Sequence, residues 1–262
     1  MRRNFVKEKL RAGKPSVGTW MEIGHPETSE IMGNFGFDWV VFDMEHAPCS
    51  IETVQALMQA MGASPTLPLI RVAWNDPVLI KQALDIGAYG IMVPWVNNRE
   101  EAVRAVRACM YPQSGGIRGV GPRRASNYGF DEAYYDVADR EILIAAQVET
   151  EEAIRNLEEI FSVEGIDVAF IGPWDLSMSL GVFRKFNHPK LVGALNAVLE
   201  TAKKTGVSPG IFSGIEDVDK YIEQGFRFIS LASDTELFIH GCKDGISKVK
   251  GWRPTPPAQS VV

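Results

Sequence analysis

The sequence is poor in cysteine, short of positive charge and free of long apolar runs, and each shortage removes a class of function. Its three cysteines, Cys49, Cys109 and Cys242, are odd in number, and no two share a CxxC spacing. That pattern fits reduced thiols in a cytoplasmic protein and offers no cysteine cage for zinc. The net charge is -6, whereas a nucleic-acid binder carries a basic face. No stretch approaches the ~18 apolar residues of a membrane span. Residues 1–10 are charged and lack an apolar heart, and Arg2-Arg3 is not followed by a hydrophobic stretch, so no export signal is expected. A Gly-x-Ser-x-Gly elbow and a P-loop are both missing, and Gly119-Val120-Gly121 lacks the third glycine of a dinucleotide loop. Lys81, Lys203 and Lys204 fall on expected helices rather than at strand ends, which disfavours a Schiff-base lysine.

What is present is an alternation. The 262 residues, 45% hydrophobic and 23% charged, suit one α/β barrel, whose usual length is ~250 residues. Short apolar runs at 16–22, 39–43, 67–71, 90–94, 143–149, 167–171, 208–212 and 228–231 read as buried parallel strands. Amphipathic runs follow each of them, at 27–35, 51–62, 77–87, 99–109, 151–161, 189–205, 216–224 and 234–250. Gly36, Gly87, Gly206 and Gly225 stand where helices would end in the left-handed conformation. Eight such units predict a closed (β/α)8 barrel over residues 1–251 in preference to an open sheet. Two stretches break the rhythm. Residues 111–130 form a long glycine- and arginine-rich loop, and residues 252–262 form a proline-rich tail.

Active sites of such barrels lie at the C-terminal ends of the strands, so the polar residues there are the candidates. Strand two ends in Asp43-Met44-Glu45-His46, strand three in Arg71, strand five in Gln147-Val148-Glu149, and strand six runs into Gly172-Pro173-Trp174-Asp175. Glu149 and Asp175 are natural ligands for a hard divalent cation, since two oxygens leave positions open for water and a chelating 2-oxo acid. The plainer alternative has Glu149 capping the helix that starts at Glu151, and Asp175 capping a short turn. Arg71 can grip a carboxylate or offset an oxyanion, or it can form a structural ion pair. His46 is the best general base, with Asp43, Glu45 or Asp85 to orient it. His25, after the first strand, is a further candidate for the same mouth, while His188 and His240 suit helices or the surface.

Five blocks in order carry a family resemblance. They are Gly36-Phe37-Asp38-Trp39 leading to Glu45-His46-Ala47-Pro48; Arg71 through Trp74-Asn75-Asp76-Pro77; Tyr111-Pro112 with Gly116-Ile117-Arg118-Gly119-Val120-Gly121; Gln147-Val148-Glu149-Thr150; and Phe170 through Gly172-Pro173-Trp174-Asp175-Leu176-Ser177. The chain resembles the HpcH/HpaI aldolases, metal-dependent enzymes that make and break carbon–carbon bonds to pyruvate. The resemblance implies Mg2+, Mn2+ or Co2+ on Glu149 and Asp175, and Arg71 as the enolate stabiliser. It implies His46, supported by Asp85, as the base acting through a water, and Gln147 beneath the metal and substrate. Backbone N–H groups of Trp174 and Asp175 would bind the pyruvate carboxylate, and Trp20 and Phe212 would line the pocket. The expected substrates are pyruvate and an aldehyde, joined as a 4-hydroxy-2-oxo acid, with oxaloacetate decarboxylation as the alternative on the same scaffold. The last helix would pack on a neighbouring subunit of a hexamer, a trimer of dimers. Trp174 departs from the resemblance, in which that position is commonly small, and Cys49 stands where asparagine is frequent. Arg118, Arg123 and Arg124 in the long loop either bind a distal carboxylate of the aldehyde or serve a subunit contact.

Overall fold

The computed structural model describes residues 3–62 and 64–251, so the proline-rich tail lies outside the described residues. In chain order the elements are α1 (Phe5–Arg11), β1 (Ser16–Met21), α2 (Pro26–Gly33), β2 (Trp39–Asp43), α3 (Ile51–Ala60), β3 (Leu67–Arg71), α4 (Pro77–Asp85), β4 (Gly90–Val93), α5 (Arg99–Cys109), α6 (Tyr134–Glu141), β5 (Leu143–Gln147), α7 (Glu151–Arg155), α8 (Leu157–Phe161), β6 (Val168–Ile171), α9 (Pro173–Ser179), α10 (Pro189–Thr205), β7 (Ser208–Ser213), α11 (Val218–Gln224), β8 (Phe228–Ser233) and α12 (Asp234–Ser247). The eight strands pair in sequence order, all parallel, and β8 closes on β1. The expected barrel is therefore present.

Three helices were not expected from the pattern. α1 is too short to show a clear period, α6 ends the long connection after β4, and α9 opens directly from the Gly172-Pro173 turn. The expected helix at 151–161 is two helices meeting at Asn156, whose φ of -106° and ψ of 18° leave the helical region. Gly206 and Gly225 cap α10 and α11 at φ 81° and 114°. Gly36 and Gly87 take the same left-handed conformation just beyond their helices.

Successive strand residues face opposite sides of a sheet, and here that period divides the core in two. Val40, Phe42, Ile70, Ile144, Ala146, Ala169, Ile171, Ile211 and Ile229 belong to the layer packed under the helices. Trp39, Val41, Leu67, Leu69, Leu143, Ala145, Val168, Phe170 and Phe228 fill the barrel itself, and Val6 and Leu10 of α1 pack with them and close its lower end. An aromatic column rises through the interior. Trp39 stacks on Phe228 with ring centres 4.0 Å apart, Phe228 meets Phe170 at 6.0 Å, Phe170 meets Trp20 at 5.8 Å, and Trp20 meets Phe212 at 5.9 Å. Gly18 makes the first of these possible, because a Cβ there would lie 2.1 Å from the Trp39 ring. No helix among the described residues is long and apolar enough to cross a membrane.

Candidate active site

The inward period explains which polar residues meet. Counting in twos, Trp39 and Val41 lead to Asp43, Leu67 and Leu69 to Arg71, Leu143 and Ala145 to Gln147 and then Glu149, and Val168 and Phe170 to Gly172. β2, β3 and β5 thus turn from apolar to polar at their top inward positions, above the aromatic column, and β6 turns to glycine. A cavity of about 220 Å³ opens there, lined by Trp20, Glu22, His46, Arg71, Gln147, Phe170, Gly172, Pro173, Trp174, Asp175, Phe212 and Glu236.

Asp43 and Arg71 are register partners in the β2–β3 ladder, so their side chains share a layer. Arg71 donates Nε to Asp43 Oδ1 at 2.9 Å and Nη2 to Oδ2 at 2.7 Å, while Nη1 lies 3.0 Å from Glu45 Oε2. Its guanidinium carbon sits 4.2 Å from the centre of the Trp20 ring. Burial alone would push the Asp43 carboxyl up, but the hydrogen bonds and charge of Arg71 outweigh it and hold the group below the usual range. The structural ion pair and the chemical role are thus compatible readings of Arg71, since the pair fixes the fork at the cavity wall. Asp43 also accepts the backbone N–H groups of Glu45 and His46, which sets the turn that brings His46 to the mouth.

Glu149 is buried to 2% exposure. Its Oε1 accepts the backbone N–H of Trp95 at 3.0 Å, and its Oε2 accepts Gln147 Nε2 at 2.8 Å. Trp95 holds a left-handed backbone, φ 54°, a conformation unusual for an aromatic residue and typical of functional turns. Burial, with the charges of Asp175 and Glu45 added, pushes Glu149 up to about 7. Helix capping does not account for either carboxylate. Thr150, not Glu149, caps α7, and Gly172 caps α9 with no side chain at all. Asp175 sits in the first turn of α9, exposed to the cavity.

These two carboxylates fit a divalent cation. A Cβ on Gly172 would stand 3.2 Å from Glu149 Oε2 and 3.4 Å from Asp175 Oδ2, so both oxygens face the space that the glycine leaves. Gln147 Oε1 is buried beside them without a hydrogen-bond partner. No group of three or more His, Cys, Asp or Glu forms a closed metal cage among the described residues. Two carboxylates with an open side match a hard cation that completes its shell with water and substrate.

Not every expected residue arrives. Asp85 ends α4 just before β4 begins at Gly90, at the opposite end of its unit from Arg71, and it pairs with Arg118 at 2.9 Å. Within one protomer it does not line the cavity with His46. Arg118 is 1% exposed and packs over Tyr111 and Tyr134, and Arg124 donates to the backbone of Ile86 and Met58. Neither lines this mouth, and nor does Arg123. His25 and His188 use their rings to cap α2 and α10, and His240 lies exposed on α12. Sequence reasoning missed Glu22, Glu236 and the Trp95 backbone. Glu22 was hidden as the last residue of an apolar run, where Asp234 fixes it by accepting the backbone N–H groups of Glu22 and Ile23 at 3.0 Å each. Glu236 was hidden inside the capping box Ser233-x-x-Glu236 of α12.

The profile of the HpcH/HpaI aldolase/citrate lyase family matches residues 16–241. The chain is 40% identical over 243 residues to a 4-hydroxy-2-oxo-heptane-1,7-dioate aldolase from Klebsiella pneumoniae, covering 92% of this chain and 91% of that one, and 40% identical to its Escherichia coli counterpart over the same length. A crystal structure of an HpcH/HpaI aldolase/citrate lyase family protein from Burkholderia cenocepacia J2315 superimposes with TM-score 0.90 at 32% identity, covering 94% of this chain and 98% of that one.

Proposed function

The chain belongs to the HpcH/HpaI aldolase/citrate lyase family, and from that membership we infer the substrate and the part each residue at the barrel mouth plays. The protein is an aldolase, a carbon–carbon lyase. Its proposed reaction is the reversible cleavage of a 4-hydroxy-2-oxo acid to pyruvate and an aldehyde through the pyruvate enolate. One observation carries this reading: Glu149 Oε2 and Asp175 Oδ2 meet at Gly172, on the wall of a cavity that Asp175, Gln147 and Arg71 line.

Glu149 and Asp175 would hold Mg2+, Mn2+ or Co2+, oriented by Gln147 and the Trp95 N–H. When bound, the cation polarises the 2-oxo group and offsets the carboxylates. The backbone N–H groups of Trp174 and Asp175, uncapped at the start of α9, receive the carboxylate of pyruvate. Trp20 and Phe212 line the pocket around it. In cleavage, His46 takes the proton of the 4-hydroxyl, the C3–C4 bond breaks, the aldehyde leaves, and C3 then gains a proton. Arg71 opposes the negative charge that grows on the enolate oxygen, a contribution worth ~10²–10³ in rate for a well-placed donor. Asp85 stands at the far end of its own barrel, so its support of His46 would come from a neighbouring protomer. We place the enzyme in the cytoplasm, as a hexamer built as a trimer of dimers. The exposed apolar side chains of α12 support such packing.

Exchange of the pyruvate methyl protons in deuterium oxide, followed by NMR, tests the reading. Exchange with Mg2+ or Mn2+ that stops with EDTA is expected. No exchange with either metal would overturn it. Pyruvate released from oxaloacetate without any competence toward aldehydes would instead mark a decarboxylase.

A further inference from the structure

A second cavity of about 360 Å³ adjoins the first and shares Pro173, Trp174, Phe212 and Glu236 with it. We propose that this outer chamber holds the aldehyde half of the substrate, and that the aldehyde it suits is neutral and aromatic rather than one ending in a carboxylate. The proposal rests on the aldolase reading above.

The walls give the reason. Trp174 meets Phe183 and Phe186 edge-on, with ring centres 5.7 and 5.9 Å apart, and Phe186, Phe212 and Tyr221 line the chamber with it. Of the three clustered rings, Trp174 and Phe186 line the chamber and remain 47% and 40% exposed, while Phe183 braces Trp174 from outside it. An apolar surface of that kind beside a reaction centre is stabilised by an apolar guest. The charges point the same way. The chamber holds Asp217, Lys220 and Glu236, and Lys220 is already engaged, 3.3 Å from Asp217 and above the Tyr221 ring. Glu236 and, further in, Glu22 face the path of the aldehyde. A carboxylate tail would meet two like charges and find its nearest cation paired, whereas an aromatic ring meets the faces and edges it favours. Arg184, whose guanidinium lies 5.4 Å from the Trp174 ring, lines neither cavity.

The chemistry balances without a further reactant. The enolate C3 bonds to the aldehyde carbon, the C=O electron pair moves to oxygen, and that oxygen gains a proton to become the 4-hydroxyl. The test compares aldol addition of pyruvate to benzaldehyde and to succinic semialdehyde by the full-length enzyme with Mn2+. The wild type should show the higher kcat/KM for benzaldehyde. Phe186→Ala should lower that value about three- to tenfold, lowering the value for succinic semialdehyde less and leaving pyruvate methyl exchange unchanged. Asp217→Ala, which frees Lys220, should raise kcat/KM for succinic semialdehyde about two- to tenfold. Preference of the wild type for succinic semialdehyde, or equal loss on both aldehydes in Phe186→Ala, would overturn the proposal while intact methyl exchange kept the aldolase reading. Loss of methyl exchange in the wild type itself would instead overturn both.

Discussion

Arg71 is held by three contacts at once, and that determines which substitution is informative. Arg71→Ala would leave Asp43, 0% exposed, as a buried charge without its partner, at a cost of about 3–5 kcal/mol. Arg71→Lys keeps the charge but loses the two-pronged fork. We expect it to bind Mn2+ as the wild type does in a titration, yet to exchange pyruvate methyl protons about 10²–10³ more slowly. Unaltered exchange would remove Arg71 from the mechanism. Glu149 makes the complementary case, because its cost is visible in the fold. Its folded value is about 7, above the ordinary 4.5. A raised carboxyl favours the fold only while protonated, so the benefit is complete below pH 4.5 and lost as the pH rises through 7. Above that, the metal-free protein carries a penalty on the order of 3 kcal/mol. Glu149→Gln should therefore melt several degrees higher than the wild type at pH 8 without metal, with the gap closing near pH 5. Added Mn2+ should narrow the gap at pH 8 by stabilising only the wild type.

At the scale of strands and helices, two glycines separate folding from function. Gly18→Ala would drive a methyl group into Trp39, which is fully buried and stacked on Phe228. A loss of about 3 kcal/mol is expected from such overpacking, read as a lower urea midpoint, with recovery when Trp39→Leu is added. Gly172→Ala is different. Its φ of -92° suits any residue, so the fold should hold. The new methyl lands between the two carboxylate oxygens, and Mn2+ affinity should fall about tenfold or more. Wild-type affinity in that variant would move the metal elsewhere. The strands were legible in the sequence because they are short apolar runs alternating with longer amphipathic ones, and Trp39–Asp43 and Leu67–Arg71 match their expected limits. His46, Arg71, Gln147 and Asp175 were legible for the same reason, as the polar ends of those runs. α1 and α9 were not, since seven residues span too few turns to show a period. Asp85 shows the sharper limit. Its spacing places it on a helix, but which end of the barrel that helix terminus occupies follows only from the topology.

At the scale of the whole molecule, two exposed apolar surfaces among the described residues point beyond a single chain. α12 and the turn after it leave Phe238, Ile239, Ile246 and Val249 at 68%, 46%, 47% and 56% exposure, and the 111–130 segment leaves Ile117, Val120 and Phe130 at 49%, 70% and 84%. Surfaces of this kind mark subunit contacts, and light scattering should report a mass six times that of the chain. Phe238→Asp should shift it to smaller species. The same assembly bears on catalysis. Asp85, tethered by Arg118, reaches a His46 only if that histidine belongs to another protomer. Asp85→Asn and Arg71→Lys, each slow alone, should then complement one another when co-expressed. In randomly mixed hexamers about a quarter of the sites would draw an intact Arg71 from one chain and an intact Asp85 from the next. Methyl exchange recovering toward that fraction would establish action across the interface. Mixed hexamers as slow as their parents would confine Asp85 to holding Arg118 and the loop around it.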